Sequence, residues 1–85
     1  MSETKWLRCA VDKGMFSDEV AVTYPAIGAY QKSVFVQKRD VDGVGAVARV
    51  RVVVIRRNGT TYATLPTEDR DVVTVSPADL SEHGS

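Results

Sequence analysis

The chain is predicted to fold as an all-β domain, and three observations carry that prediction. Valine is its commonest residue, and Thr, Ile, Tyr, Phe and Trp add to a stock of branched and aromatic side chains suited to a pleated, half-buried surface. Apolar residues alternate with polar ones over short stretches, and no longer window spaces them as an amphipathic helix would without a Gly or Pro inside it. The dipeptide Asn58-Gly59, flanked by two such stretches, is the signature of a two-residue type I′ hairpin, because both residues accept positive φ. With 85 residues, one small domain is all the chain can build.

The first strand is expected from about Lys5 to Val11, where Leu7, Cys9 and Val11 alternate with Trp6, Arg8 and Ala10. Asp12-Lys13-Gly14 signals a turn, after which Phe16 is expected to fold back over one end of the core. The second strand, Glu19 to Tyr24, sets Val20, Val22 and Tyr24 against Glu19, Ala21 and Thr23, and Pro25 ends it because proline offers no amide hydrogen to a ladder. A loop around Gly28 leads to the third strand, Ser33 to Gln37. Lys38 to Gly45, with two glycines and two aspartates, reads as a mobile connection.

The fourth strand, Ala46 to Arg57, is the longest. Ala48, Val50, Val52 and Val54 share one face; the other runs Arg49, Arg51, Val53, Ile55 and so turns from cationic to apolar halfway along. Such a strand is expected to bend and to serve two sheets. The Asn58-Gly59 turn then pairs it with a fifth strand, Thr60 to Leu65, closed by Pro66. Thr67 to Asp71 is an acidic turn, Val72 to Val75 a sixth strand, and Ser76 to Leu80 a closing helical turn with Ser76 as cap and Pro77 at its first position. Leu80 is expected beneath the barrel, and the tail beyond it to fray. The reading finds no internal repeat, low-complexity tract or linker.

Five or six short strands with one pinned hairpin resemble a small SH3-like barrel, over roughly Lys5 to Leu80. An OB-fold is the nearest rival, but Lys38 to Gly45 is too short for the helix such folds often carry between their third and fourth strands.

Catalysis finds no foothold. The one histidine, His83, lies in the tail, where nothing would hold it against a substrate. Cys9 falls on the inward face of the first strand, with no histidine to activate it. One Cys and one His cannot complete a tetrahedral zinc site, and Asp40-Val41-Asp42-Gly43 lacks the later acidic ligand of a calcium loop. The chain shows neither GxGxxG nor GxxxxGK[ST]. No enzyme, cofactor or metal is therefore expected. Apolar runs reach only four residues, as at Val52 to Ile55, far short of a membrane span, and the N-terminal MSETKWLRC has no apolar leader core. A cytoplasmic domain is expected.

Net charge is zero, yet it is unevenly spread. Gly28 to Ala63 holds seven cations against two anions, while Thr64 onward holds five anions against one cation. Arg49 and Arg51 share the outward face of the fourth strand, and Trp6 and Arg8 lie outward on the first. Guanidinium groups beside an aromatic ring are what a nucleic-acid surface uses, but a pI near 6.5 is far from the basic footprint of such domains. Cross-strand pairing of these arginines with Glu19, Asp69 and Asp71 is the expected alternative. The aromatics Trp6, Tyr24, Tyr30 and Tyr62, with one or two of them at the surface, would instead suit a peptide groove. The favoured reading is a non-catalytic binding or accessory module for a protein or peptide, with nucleic acid as the rival ligand. Its candidate surface is Trp6, Arg8, Arg49, Arg51 and Tyr62. Valine-rich strands with an open edge also allow a homodimer.

Overall fold

The computed structural model describes residues 3–13, 18–25, 33–43 and 45–82. The expectations for Phe16, for the loop around Gly28 and Tyr30, and for His83 lie outside the described residues.

Strands β1 (Glu3–Lys13), β2 (Glu19–Thr23), β3 (Ser33–Gln37), β4 (Val41–Asp42), β5 (Gly45–Arg57), β6 (Thr60–Thr64), β7 (Val72–Thr74) and β8 (Leu80–Ser81) follow in chain order. Single 3-10 turns at Lys38–Asp40 and Pro77–Asp79 precede β4 and β8. All pairing is antiparallel, in the order β3-β2-β1-β5-β6-β7, with β4 added to β5 and β8 to β1. The sheet curls into a half-barrel resembling the SH3-like barrels, as expected, with a short helical turn near its C-terminal end. An open cleft of about 650 Å³ separates β3 from the 66–71 turn, with Phe35 on one wall and Glu68 and Asp69 on the other. No helix among the described residues is long and apolar enough to cross a membrane.

The core follows the alternation of each strand. Leu7, Cys9, Val20, Val22, Tyr24 and Val36 are buried from the first half of the chain, and Val50, Val52, Val54, Ala63, Leu65 and Val75 from the second. Asn58 and Gly59 take φ of 53° and 79°, the positive values a type I′ turn requires, and Arg57 pairs with Thr60 across them. Ser76 caps the second 3-10 turn by accepting a hydrogen bond from the Ala78 amide, and Leu80 packs partly against the core.

Two expectations are corrected. The segment 38–45 is no featureless connection: it holds a 3-10 turn and then β4, whose Val41 pairs with Val50 and packs against the core. Val41 stands between Asp40 and Asp42 in a strand of only two residues, so alternation had too little length to reveal it.

The second correction concerns repetition. Leu7 pairs with Val50 at the centre of the molecule, and each uses its other edge for a two-residue strand, Leu80 beside Leu7 and Val41 beside Val50. The pairing pattern has an approximate two-fold centred on that pair, which exchanges the described strands of 3–42 with those of 45–82. Each half is a long strand, two strands that meander from it, a 3-10 turn, and a short strand that crosses to the other half. Core residues exchange accordingly: Cys9 with Val52, Val22 with Ala63, Tyr24 with Leu65, Val36 with Val75. The repeat escapes a sequence reading because half 1 needs two more residues than half 2 in each of its first two connections.

Candidate outward face of the sheet

The side chains opposite the core form one continuous outward face whose character changes from end to end. On its central strands, Trp6 stands across from Arg51 and Arg8 across from Arg49, so four of the sequence-nominated residues are neighbours. Trp6 and Arg49 are half-buried there, while Arg8 and Arg51 are exposed. Tyr62 is not with them. It stands across from Ile55, four residues beyond Arg51 on β5, about 13 Å away at roughly 3.3 Å per residue.

Facing arginines on adjacent strands repel, and the fold answers with carboxylates. Nε and Nη2 of Arg8 both donate to Oδ1 of Asp79, at 3.2 and 2.9 Å. Nη2 of Arg51 donates to Oδ1 of Asp40 at 2.6 Å. Asp42 stands directly across from Arg49 on β4. The expected partners Glu19, Asp69 and Asp71 are thus replaced by the aspartates that end the two 3-10 turns. The reason is topological: each turn delivers a short strand onto the opposite half's long strand, and its last residue arrives beside the arginine one step past the axis. Arg8–Asp79 and Arg51–Asp40 are images of one another under the two-fold.

Beyond Arg51 the face turns apolar. Val53 (41% exposed) and Ile55 (37%) on β5, Tyr62 (36%) on β6 and Val72 (62%) on β7 account for four of the six large hydrophobic residues exposed among those described. The register joins them in two rows, Ile55–Tyr62–Thr74 and Val53–Thr64–Val72. The two-fold supplies a built-in control. The matching rows of half 1 are Asp12–Ala21–Phe35 and Ala10–Thr23–Ser33, small or polar apart from Phe35, with Thr23 and Ser33 joined by a hydroxyl hydrogen bond at 3.0 Å. The same scaffold therefore stands with Phe35 as the lone large apolar residue in these two rows.

Sequence reasoning named Tyr62 but passed over Ile55 and Val72. The signal was present: an Asn58-Gly59 turn fixes Arg57 opposite Thr60, and counting back by two puts Ile55 opposite Tyr62. Val72 needed the length of the 66–71 turn, where the Thr67 hydroxyl donates to Asp71 Oδ2 and accepts from the Asp71 amide, and Leu65 N–H donates to the Asp71 carbonyl.

Two reactive groups, the Cys9 thiol and the Tyr24 phenol, lie in the core. Burial pushes the Cys9 thiol up to about 11, and Tyr24 is raised by burial first and by the nearby Asp71 charge second.

Fold and face together define a small all-β half-barrel, consistent with the SH3-like barrels, that displays an apolar patch among the described residues. No protein-family model, characterised protein or solved structure matches the chain.

Proposed function

We propose that the protein is a non-catalytic interaction module that engages a protein or peptide through the outward face of β5, β6 and β7. The observation that carries this reading is the apolar cluster Val53, Ile55, Tyr62 and Val72, which the matching face of half 1 does without. Exposed apolar patches in excess of what a fold requires mark binding surfaces. Nucleic-acid binding is less well supported: Arg8 and Arg51 already hold carboxylates, and Asp42 opposes Arg49, which leaves the central face near neutrality. A reducing, cytoplasmic compartment belongs to the same proposal, since the single cysteine is a buried free thiol.

Selection of random displayed peptides against the full chain tests this reading. Enrichment of peptides with aromatic or aliphatic anchors is expected, and it should vanish with Ile55→Asp and Tyr62→Ala, which copy the residues half 1 carries at those positions. Failure to enrich, or enrichment that survives both substitutions, overturns it.

A further inference from the structure

We infer that the free edge of β3 takes up an extended, lysine- or arginine-bearing peptide as an added strand, facing the acidic turn at residues 66–71. This site lies apart from the β5–β7 face and does not depend on it. β3 ends the sheet: it pairs with β2 along one edge, and among the described residues no strand pairs along the other. The register shows which groups that edge offers. The Lys38 N–H donates to the Asp18 carbonyl at 2.9 Å, so 38 and 18 form a hydrogen-bonded pair. By alternation 36 with 20 and 34 with 22 do so too, and Ser33, Phe35 and Gln37 turn their amides and carbonyls away from β2. The Thr23 and Ser33 hydroxyls, 3.0 Å apart, fit that phase, since side chains approach most closely in pairs that exchange no main-chain bonds.

An open edge is a template for another strand, and proteins blunt it with charges, prolines or bulges. β3, Ser-Val-Phe-Val-Gln, carries no charge and no proline, and its register against β2 is regular. Its counterpart β7 is only three residues long and turns just Val72 and Thr74 outward, because Val75 N–H donates to the Thr61 carbonyl. The β3 edge also opens onto the cleft of about 650 Å³ that its residues 34–37 line. Glu68, Asp69 and Asp71 stand across that cleft and Glu19 beside it, against Arg39 alone; Asp40 is already held by Arg51. Main-chain bonds along an edge supply affinity and alternate side chains supply specificity. The side chains that match this wall are cationic. Nucleic acid would meet like charge there, and β3 of a second copy has no cation to offer.

Fluorescence anisotropy of a labelled ten-residue peptide alternating Lys and Thr, titrated with the full chain at about 50 mM salt, reads this directly. The probe has no aromatic or aliphatic anchor for the β5–β7 face. Saturable binding is expected, and a peptide alternating Glu and Thr should not bind. Glu68→Lys with Asp69→Lys should weaken the Lys–Thr peptide at least tenfold and admit the Glu–Thr one. Gln37→Pro separates strand addition from charge attraction. Gln37 has φ −76°, which proline matches, and its N–H faces away from β2, so the variant keeps the ladder and loses a free-edge donor. It should weaken binding severalfold while its melting curve shows it folded. N-methylation of every second peptide amide puts the same question without touching the chain: one of the two alternate sets should abolish binding and the other spare it. Binding indifferent to Gln37→Pro, two methylated sets that behave alike, or no binding up to about 500 µM overturns the inference. Self-association of the chain that Gln37→Pro abolishes would make a second copy the occupant and overturn it too. Binding lost instead with Ile55→Asp/Tyr62→Ala would remove this site and leave the β5–β7 docking role standing.

Discussion

Residues 3–42 and 45–82 build the same half of a barrel, yet they present different surfaces. Inward, the halves agree at most positions: Leu7 answers Val50, Tyr24 answers Leu65, Val36 answers Val75, and all six are buried. Outward, half 1 carries Asp12, Ala21 and Thr23 where half 2 carries Ile55, Tyr62 and Thr64. Burial constrains the first set, because a cavity or a stranded polar atom in the core costs kilocalories. Little in the fold constrains the second. A difference concentrated on the unconstrained face is therefore information about use rather than about folding.

The equivalence of the cores is broken most forcefully at the axis. Leu7 is fully buried and touches both long strands' neighbourhoods through its pairing with Val50 and Leu80. Leu7→Ala should cost about 3 kcal/mol, and Val50→Ala about 1 kcal/mol less because fewer buried methyl groups are removed. Both should unfold in one cooperative urea transition, since each half lends a strand to the other. A biphasic transition would show two independent units and dissolve the comparison.

The turns sharpen it next. Gly59 in the β5–β6 hairpin has φ +79° with open space where a Cβ would sit, whereas Gly43, at the joint between halves, has φ +87° and would place a Cβ 3.0 Å from the Val47 carbonyl oxygen and 3.1 Å from the Ala48 Cα. Gly59→Val should cost about 1–2 kcal/mol from backbone strain alone. Gly43→Val adds a collision with backbone and should cost more. Equal melting temperatures for the two variants would contradict this ranking.

How far the chain could be read in advance follows the same division. Strands β2, β3, β5 and β6 were legible within a residue at each end because they alternate for five residues or more and Asn58-Gly59 fixes one register. β1 proved longer than expected, Glu3 to Lys13, since its ends are polar and gain strand geometry by pairing with Val54 and Val20 rather than from propensity. β4 was hidden, being two residues long. The ion pairs were misassigned because sequence supplies charge but not which turn lands beside which strand. For the apolar face, Tyr62 was one of four aromatics named for a groove, of which Tyr24 is buried in the core instead; the cluster around Tyr62 required the register across three strands.

A smaller effect comes from Cys9, whose counterpart in half 2 is Val52. The folded thiol titrates near 11 against 9.0 for an ordinary cysteine. A raised pKa means that the folded state holds its proton while the unfolded state loses it. The contribution is thus complete below pH 9 and is lost as pH rises from 9 toward 11, by about 1.4 kcal/mol at pH 10. Cys9→Val, which copies half 2, should flatten the stability profile over that interval and leave the residual alkaline decline due to Tyr24. Denaturant midpoints at pH 8, 9, 10 and 11 check it; an unchanged profile would exclude the thiol as its source.

The smallest effect separates the two ion pairs that the axis interchanges. Asp40 is 13% exposed and meets Arg51 through a single 2.6 Å contact; Asp79 is 19% exposed and takes two donors from Arg8, itself 67% exposed against 48% for Arg51. Charge-assisted bonds gain strength with shortness and shielding, and exposed guanidinium groups are screened by water and salt. Asp40→Asn should therefore cost about 1 kcal/mol and Asp79→Asn about half that, both falling as sodium chloride is raised toward 1 M. The two positions are far enough from sharing a partner for the double variant to cost the sum. A double cost well beyond that sum would mean that Arg8 and Arg51, two strands' images of each other beside the Leu7–Val50 pair, are coupled diagonally across the outward face, and that the two-fold is felt energetically as well as in shape.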